Sequence, residues 1–252
     1  MKNMRRSLNS LLEYTMGATD GEIGTVQEFY FDDHTWTIRY IIVEAGNWLM
    51  GRKVLISPQA LLPFNWNNGI FPVKLTKEQI KKSPEIDTEK PVSREQEVNL
   101  MNHYLQEGNW GNGFYAGGTI LPMYYGLPED KDVGIERKPT GDSHLRSSSK
   151  VTGYNIKATD GEIGAVKDFL LHPDTWEIDF LVVDTGDWLP GKKVLLSPRW
   201  IKEINWEDSA ITVNALREQI RNSPEYNHGQ PFTDGDAMAL NNYYGEFVTH
   251  IE

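Results

Sequence analysis

The chain has 252 residues, a formal net charge of -11 and a pI of about 5.1. Its surplus of carboxylates repels phosphate backbones, which argues against a nucleic-acid partner. It contains no cysteine, so disulfides, thiolate nucleophiles and cysteine metal sites are excluded.

A hydrophobic content of 39% with 11% aromatics describes a folded chain, long enough for two domains of ordinary size. The start, Met1 to Ser10, is basic but has no apolar run behind it, so no secretory leader is expected. No apolar stretch approaches the roughly eighteen residues of a bilayer span. A soluble, cytoplasmic protein without direct membrane insertion is the expectation.

The strongest internal signal is a repeat. Ala18-Thr19-Asp20-Gly21-Glu22-Ile23-Gly24 returns as Ala158-Thr159-Asp160-Gly161-Glu162-Ile163-Gly164, an offset of 140. The same offset pairs Trp36 with Trp176, Trp48 with Trp188, Trp66 with Trp206 and Ser57-Pro58 with Ser197-Pro198. An ungapped repeat of this length marks a duplicated folding unit.

Taken in chain order, a first strand spans Leu12 to Ala18 and ends at Asp20-Gly21, a dipeptide suited to a tight hairpin. The second, Gly24 to Phe31, carries Val26 and Phe29, which cannot share one face of a regular strand. A bulge near Gln27-Glu28 is therefore expected, with a counterpart at Lys167-Asp168. Trp36 to Val43 is a β-branched and aromatic strand whose second half is apolar on both faces. After the loop Gly46 to Gly51 come Arg52 to Ile56, ended by Ser57-Pro58, and a hairpin of Leu61 to Asn65 with Ile70 to Leu75.

Helices follow the strands. Thr76-Lys77-Glu78-Gln79 and Ser93-Arg94-Glu95-Gln96 are capping boxes, and Thr233 caps a helix in the second copy. The predicted buried stripes are Val98, Met101 and Leu105 in copy one, and Ala237, Leu240, Tyr244 and Val248 in copy two. Between the copies lies a glycine and aromatic segment with Trp110, Phe114 and Tyr115, then three prolines. It reads as a linker whose aromatic side chains need a surface to lie on. The predicted architecture is mainly β, two small β-barrels in tandem, each followed by short α-helices. Residues 1–106 and 151–252 are the two repeats and 107–150 the linker.

Few residues point to chemistry. Asp20, Gly21 and Gly24, with Asp160, Gly161 and Gly164, are read as structural turn residues. The acidic turns, with Glu22, Asp32 and Asp33, could in principle gather carboxylates for acid/base work or a hard cation, but no calcium-loop spacing is present. The six histidines show no metal-binding spacing, and no serine or glycine-rich signature supports a nucleophile or a nucleotide site. No catalytic residue, cofactor or metal ligand is assigned, and the chain is read as no enzyme. Trp36, Trp176, Trp66 and Trp206 are expected in the cores. Trp48-Leu49 and Trp188-Leu189 lie in glycine-bounded loops, as barrel plugs or as an apolar contact patch. With Trp110, Phe114 and Tyr115 they are the candidate protein-interaction residues.

The pattern Asp-Gly-Glu-Ile-Gly-x-Val, then Trp-x-Ile-x-Tyr/Phe, then Lys-Val-Leu-Ile/Leu-Ser-Pro, resembles the PRC-barrel family. That family includes the cytoplasmic domain of the photosynthetic reaction centre H subunit and the C-terminal domain of the RimM-type ribosome maturation factor. The resemblance covers about residues 11 to 90 and 151 to 230 and is greatest to bacterial tandem PRC-barrel proteins, with their Leu-Arg-Ser segment before the second copy. It implies two PRC-type barrels serving as an adaptor. The expected function is a non-catalytic protein-interaction or scaffolding module, with a protein partner, barrel–barrel pairing or a homo-oligomer. The alternatives are a small-ligand or metal sensor (or enzyme) using acidic turns where the barrels meet, and a peripheral partner of a membrane redox complex.

Overall fold

The computed structural model describes residues 4–85, 92–106, 115–116, 119–120, 144–227 and 229–248. In chain order the elements are β1 (Arg6–Ser7), β2 (Thr15–Ala18), β3 (Gly21–Asp32), β4 (Ile38–Ala45), β5 (Lys53–Ile56) and β6 (Ile70–Pro72), then helices α1 (Lys77–Lys81) and α2 (Arg94–Gln106). The short pair β7 (Tyr115–Ala116) and β8 (Thr119–Ile120) follows, then β9 (Leu145–Ser147) and α3 (Ser148–Val151). The second series is β10 (Asn155–Ala158), β11 (Gly161–Leu171), β12 (Ile178–Asp184), β13 (Lys193–Leu196), β14 (Ile201–Asn205), β15 (Ala210–Val213), α4 (Arg217–Arg221) and α5 (Asp234–Val248).

The fold is mainly β, with one sheet for each repeat. The chain divides into two compact units, Leu12–Ser147 (the first unit) and Met1–Leu11 with Ser148–Glu252 (the second). The first sheet has the order β5-β4-β3-β2-β6, with β9 added to the far end of β3. The second has β13-β12-β11-β10-β15-β14, with β1 added to β11. The segment before each repeat therefore belongs to the sheet of the other. The registers correspond at the 140 offset, since Arg6 and Ser7 face Leu171 and Leu170 while Arg146 and Ser147 face Phe31 and Tyr30.

A bulge makes this addition work. In β3, Val26 faces Val43 and Glu28 faces Ile42, leaving Gln27 as the extra residue. Lys167 is its counterpart in β11. The extra residue lets Val26 and Phe29 both be buried, as the sequence pattern requires. It also turns an acid toward the added strand. Ser147 Oγ donates to Glu28 Oε2 at 2.6 Å, and Ser7 Oγ donates to Asp168 Oδ2. Asp168 is buried, and its other oxygen accepts from the backbone N–H groups of Asn9 (3.1 Å) and Phe169 (2.8 Å). Both oxygens of this buried carboxylate thus have hydrogen-bond donors, as burial of a polar group requires.

A second extra residue, Arg39 in β4 and Asp179 in β12, places a charge beneath the following helix. In the first unit Arg39 Nη2 donates to Glu97 Oε1 of α2 at 2.5 Å, and Arg94 reaches the other oxygen at 2.9 Å. In the second unit the signs reverse. Arg5, just before β1, donates to Asp179 Oδ2 at 2.5 Å and to Asp234 of α5. The equivalent of Glu97 is Ala237, and the equivalent of Arg5 is Leu145, which is buried. Placed on the sheet of its own repeat, Arg5 would meet Arg39 and Arg94. Those two arginines are already balanced by Glu97 and Asp32, which a third positive charge would have to share.

Three expectations need correction. Among the α2 side chains described, Glu97, Leu100 and Tyr104 are buried and the predicted Val98 is half-buried, because the ion pairs let an acid occupy a core position that patterning assigns to solvent. The side chains of Met101 and Leu105 lie outside those described. In α5 the predicted Ala237, Leu240 and Tyr244 are buried, and the side chain of Val248 lies outside those described. The late hairpin is complete only in the second unit, as β14 and β15. In the first, Leu61 makes a single bridge to Val73, since Pro63 and Pro72 remove ladder donors from both strands. Of the four tryptophans expected in the cores, Trp36 is buried whereas Trp66, Trp176 and Trp206 are half-buried.

The charge clusters lead to a comparison of two substitutions by urea denaturation. Arg39→Leu leaves Glu97, whose side chain is 4% exposed, with one partner, and is expected to cost the first unit about 3 kcal/mol. Arg5→Leu is expected to cost the second unit about half as much, because Asp179 and Asp234 reach solvent more readily.

Candidate interaction loops and the acidic turns

The repeated acidic turn is a two-residue hairpin. Ala18 faces Gly21 across Thr19-Asp20, and Gly21 takes a positive φ of 141°. Ile23 is an extra residue between the Gly24 and Glu22 pairings, so its carbonyl is freed from the β2 ladder while its side chain is buried. That carbonyl accepts the Gly46 N–H at 3.0 Å and the Trp48 indole Nε1–H at 2.7 Å. Gly24 admits this close approach because a Cβ there would lie 1.9 Å from the carbonyl oxygen of Glu44. The equivalent distance at Gly164, to the Asp184 carbonyl oxygen, is also 1.9 Å.

Asp20 acts on the following helix. Its Oδ1 accepts the backbone N–H of Lys77, the first residue of α1, at 2.8 Å, and Asp160 does the same for Arg217 of α4 at 2.8 Å. These are donors that a helix start leaves unpaired. Thr76 completes the cap through the predicted box with Gln79. The basic side chains at those helix starts then return over the tryptophans. Lys77 Nζ lies 4.6 Å from the Trp48 ring centroid, and the Arg217 guanidinium lies 4.8 Å from that of Trp188.

Trp48 and Trp188 are therefore neither core plugs nor free. Trp48, Leu49, Trp188 and Leu189 are all half-buried. Asn47–Leu49 forms one 3-10 turn, after which Met50 adopts a left-handed conformation with φ 55° and stands 97% exposed. Position 50 is the apolar tip that sequence reasoning missed. The available signal was its place just before Gly51, in a loop whose tryptophan turns back on the sheet. The second loop carries Pro190 at that position. Trp110 and Phe114 lie outside the described residues, and Tyr115 opens β7, which pairs with β8.

Several ionisable groups near these elements are tied into the packing. Burial holds the Tyr104 phenol well above its ordinary range, and it donates to the Leu55 carbonyl at 3.2 Å. Burial, and then the nearby Glu97 carboxylate, do the same to Tyr40. Asp32 closes the turn after β3 by accepting the His34 and Thr35 N–H groups at 3.0 and 2.9 Å. His34 and His144, 110 positions apart in the chain, lie with ring centroids 4.0 Å apart beside Asp33, a proximity no sequence spacing announces.

Two substitutions separate these roles. Asp20→Ala is expected to lower stability by about 1 kcal/mol, the usual cost of a lost helix cap. Gly24→Ala, where the intruding methyl meets backbone, is expected to cost about 3 kcal/mol or more. Thermal and urea denaturation read both.

Among the described residues no helix is long and apolar enough to cross a membrane. An uncharacterized protein of Deinococcus radiodurans is 30% identical over 73 residues, which are 29% of this chain. The similarity spans 26% of that protein, about a quarter of its length. The PRC-barrel domain matches at residues 16–80 and 145–220, more than half of the chain, and each stretch takes in one repeat's bulged strand and Trp loop. Two sheets of matching register and these two matches lead to one conclusion: the chain belongs to the PRC-barrel domain family, with two copies in tandem.

Proposed function

We propose that this chain is a non-catalytic interaction or assembly module of the cytoplasm, in which two PRC-barrel domains present loop surfaces to a protein partner. The observation that carries the reading is Met50. It is 97% exposed at the tip of a loop whose Trp48 is anchored by an indole hydrogen bond and roofed by Lys77. An apolar tip on an anchored base is pre-organised, so binding it loses little conformational entropy. The repeated acids support the same reading, since Asp20 and Asp160 cap helices and Glu28 and Asp168 hold the added strands.

Trp48→Ala would disturb both anchor and surface, so the informative change is Met50→Asn. Asparagine tolerates the left-handed backbone there and removes the apolar tip. In affinity capture from the native cell, a partner retained reproducibly by the unaltered full chain is expected to be retained at least about tenfold less by this variant. Equal retention would remove the loop from the proposal. Melting temperatures of the two proteins should agree, which excludes misfolding as the cause.

A further inference from the structure

We propose that Asp33, His34 and His144 form a binding site in the first unit for a single divalent transition-metal ion of the zinc class. One ligand atom from each of the three residues lies within 4.8 Å of the others. His144 Nδ1 is 3.1 Å and His34 Nε2 is 3.9 Å from the same carboxylate oxygen, Asp33 Oδ1. Ligands about 2.0–2.2 Å from a tetrahedral ion stand roughly 3.4 Å apart, so small side-chain rotations bring all three to bonding distance. On binding, His144 gives up its hydrogen bond to Asp33 and takes the tautomer with the proton on Nε2.

The carboxylate is held ready for this. Arg146 Nε donates to Asp33 Oδ2 at 2.6 Å, which occupies that oxygen and leaves Oδ1 facing the imidazoles. The Asp33 side chain is 6% exposed, His144 43% and His34 69%, so the ion is approached from the imidazole side with water completing its coordination. Backbone geometry fixes the pair of segments, because the Asp33 N–H donates to the His144 carbonyl at 2.9 Å beside the β3–β9 pairing. Two imidazoles with one carboxylate suit zinc, cobalt or nickel, whereas calcium and magnesium prefer an all-oxygen shell.

The site is not duplicated. At the 140 offset Asp33 becomes Pro173, His34 becomes Asp174, and His144 corresponds to Met4. His103 and His172 are engaged elsewhere, His103 with the Gln79 carbonyl and His172 with the N–H groups of Asp174 and Thr175. An ion held here would join the turn after β3 to the segment leading into β9, and so secure the added strand on its sheet.

The test titrates the full chain with Zn2+ by calorimetry and with Co2+ by visible absorption, with Ca2+ and Mg2+ as controls. One Zn2+ per chain is expected, with a rise in melting temperature that chelation reverses and that the controls do not reproduce. His34→Gln alters an exposed side chain, and His144→Asn suits the left-handed backbone at that residue. Each is expected to weaken binding at least about tenfold, since loss of a ligand exceeds the usual effect of losing a residue that only supports one. Failure to take up the ion at about 100 µM would overturn the site. So would uptake that both variants leave unchanged, because the ion would then be held by other groups.

Discussion

Each sheet in this protein is completed by a strand that its own repeat does not supply, and a serine–carboxylate bond secures the addition. Ser7 meets Asp168 in one unit and Ser147 meets Glu28 in the other. Both acids follow the extra residue of a bulged strand; in an unbulged strand of the same sequence the alternation of the pleat would put them on the face of Val26 and Val166. The bulge therefore settles two matters together, the burial of Val26 with Phe29 and the seat for the incoming segment.

Each seat also carries its own charge cluster. The first unit buries an acid from its helix between two arginines, and the second holds an arginine from its lead segment between two aspartates. The clusters occupy matching positions but carry opposite charge. Such pairs add little net stability once desolvation is counted, yet they penalise a wrong partner strongly. Duplication alone would leave either lead segment able to fit either sheet. The reversed charges distinguish the two seats, since Leu145 in place of Arg5 would leave Asp179 and Asp234 without that partner.

Against this scaffold the features that differ between the repeats carry the functional readings. The acidic turns, the glycine contacts and the basic side chain over the loop tryptophan are common to both copies and serve their shape. Met50 and the Asp33–His34–His144 group belong to the first unit alone. The proposed interaction role rests on those differences, because fold alone does not set function and what a shared frame presents at its loops does.

The amino-acid sequence by itself determined the duplication, the succession of strands and then helices in each repeat, the bulges at Gln27 and Lys167 and the helix caps. All of these rest on local rules of periodicity, turn chemistry and capping. Tertiary structure alone decided that Arg6–Ser7 and Leu145–Ser147 join the sheet of the other repeat, because strand pairing across more than a hundred residues leaves no local trace. It also decided that Glu97 is buried, as charge pairing overrides hydropathy only when the partners are in place. The meeting of His34 with His144 has the same origin. Their approach is set by the register of β9 on β3, a property of the folded sheet.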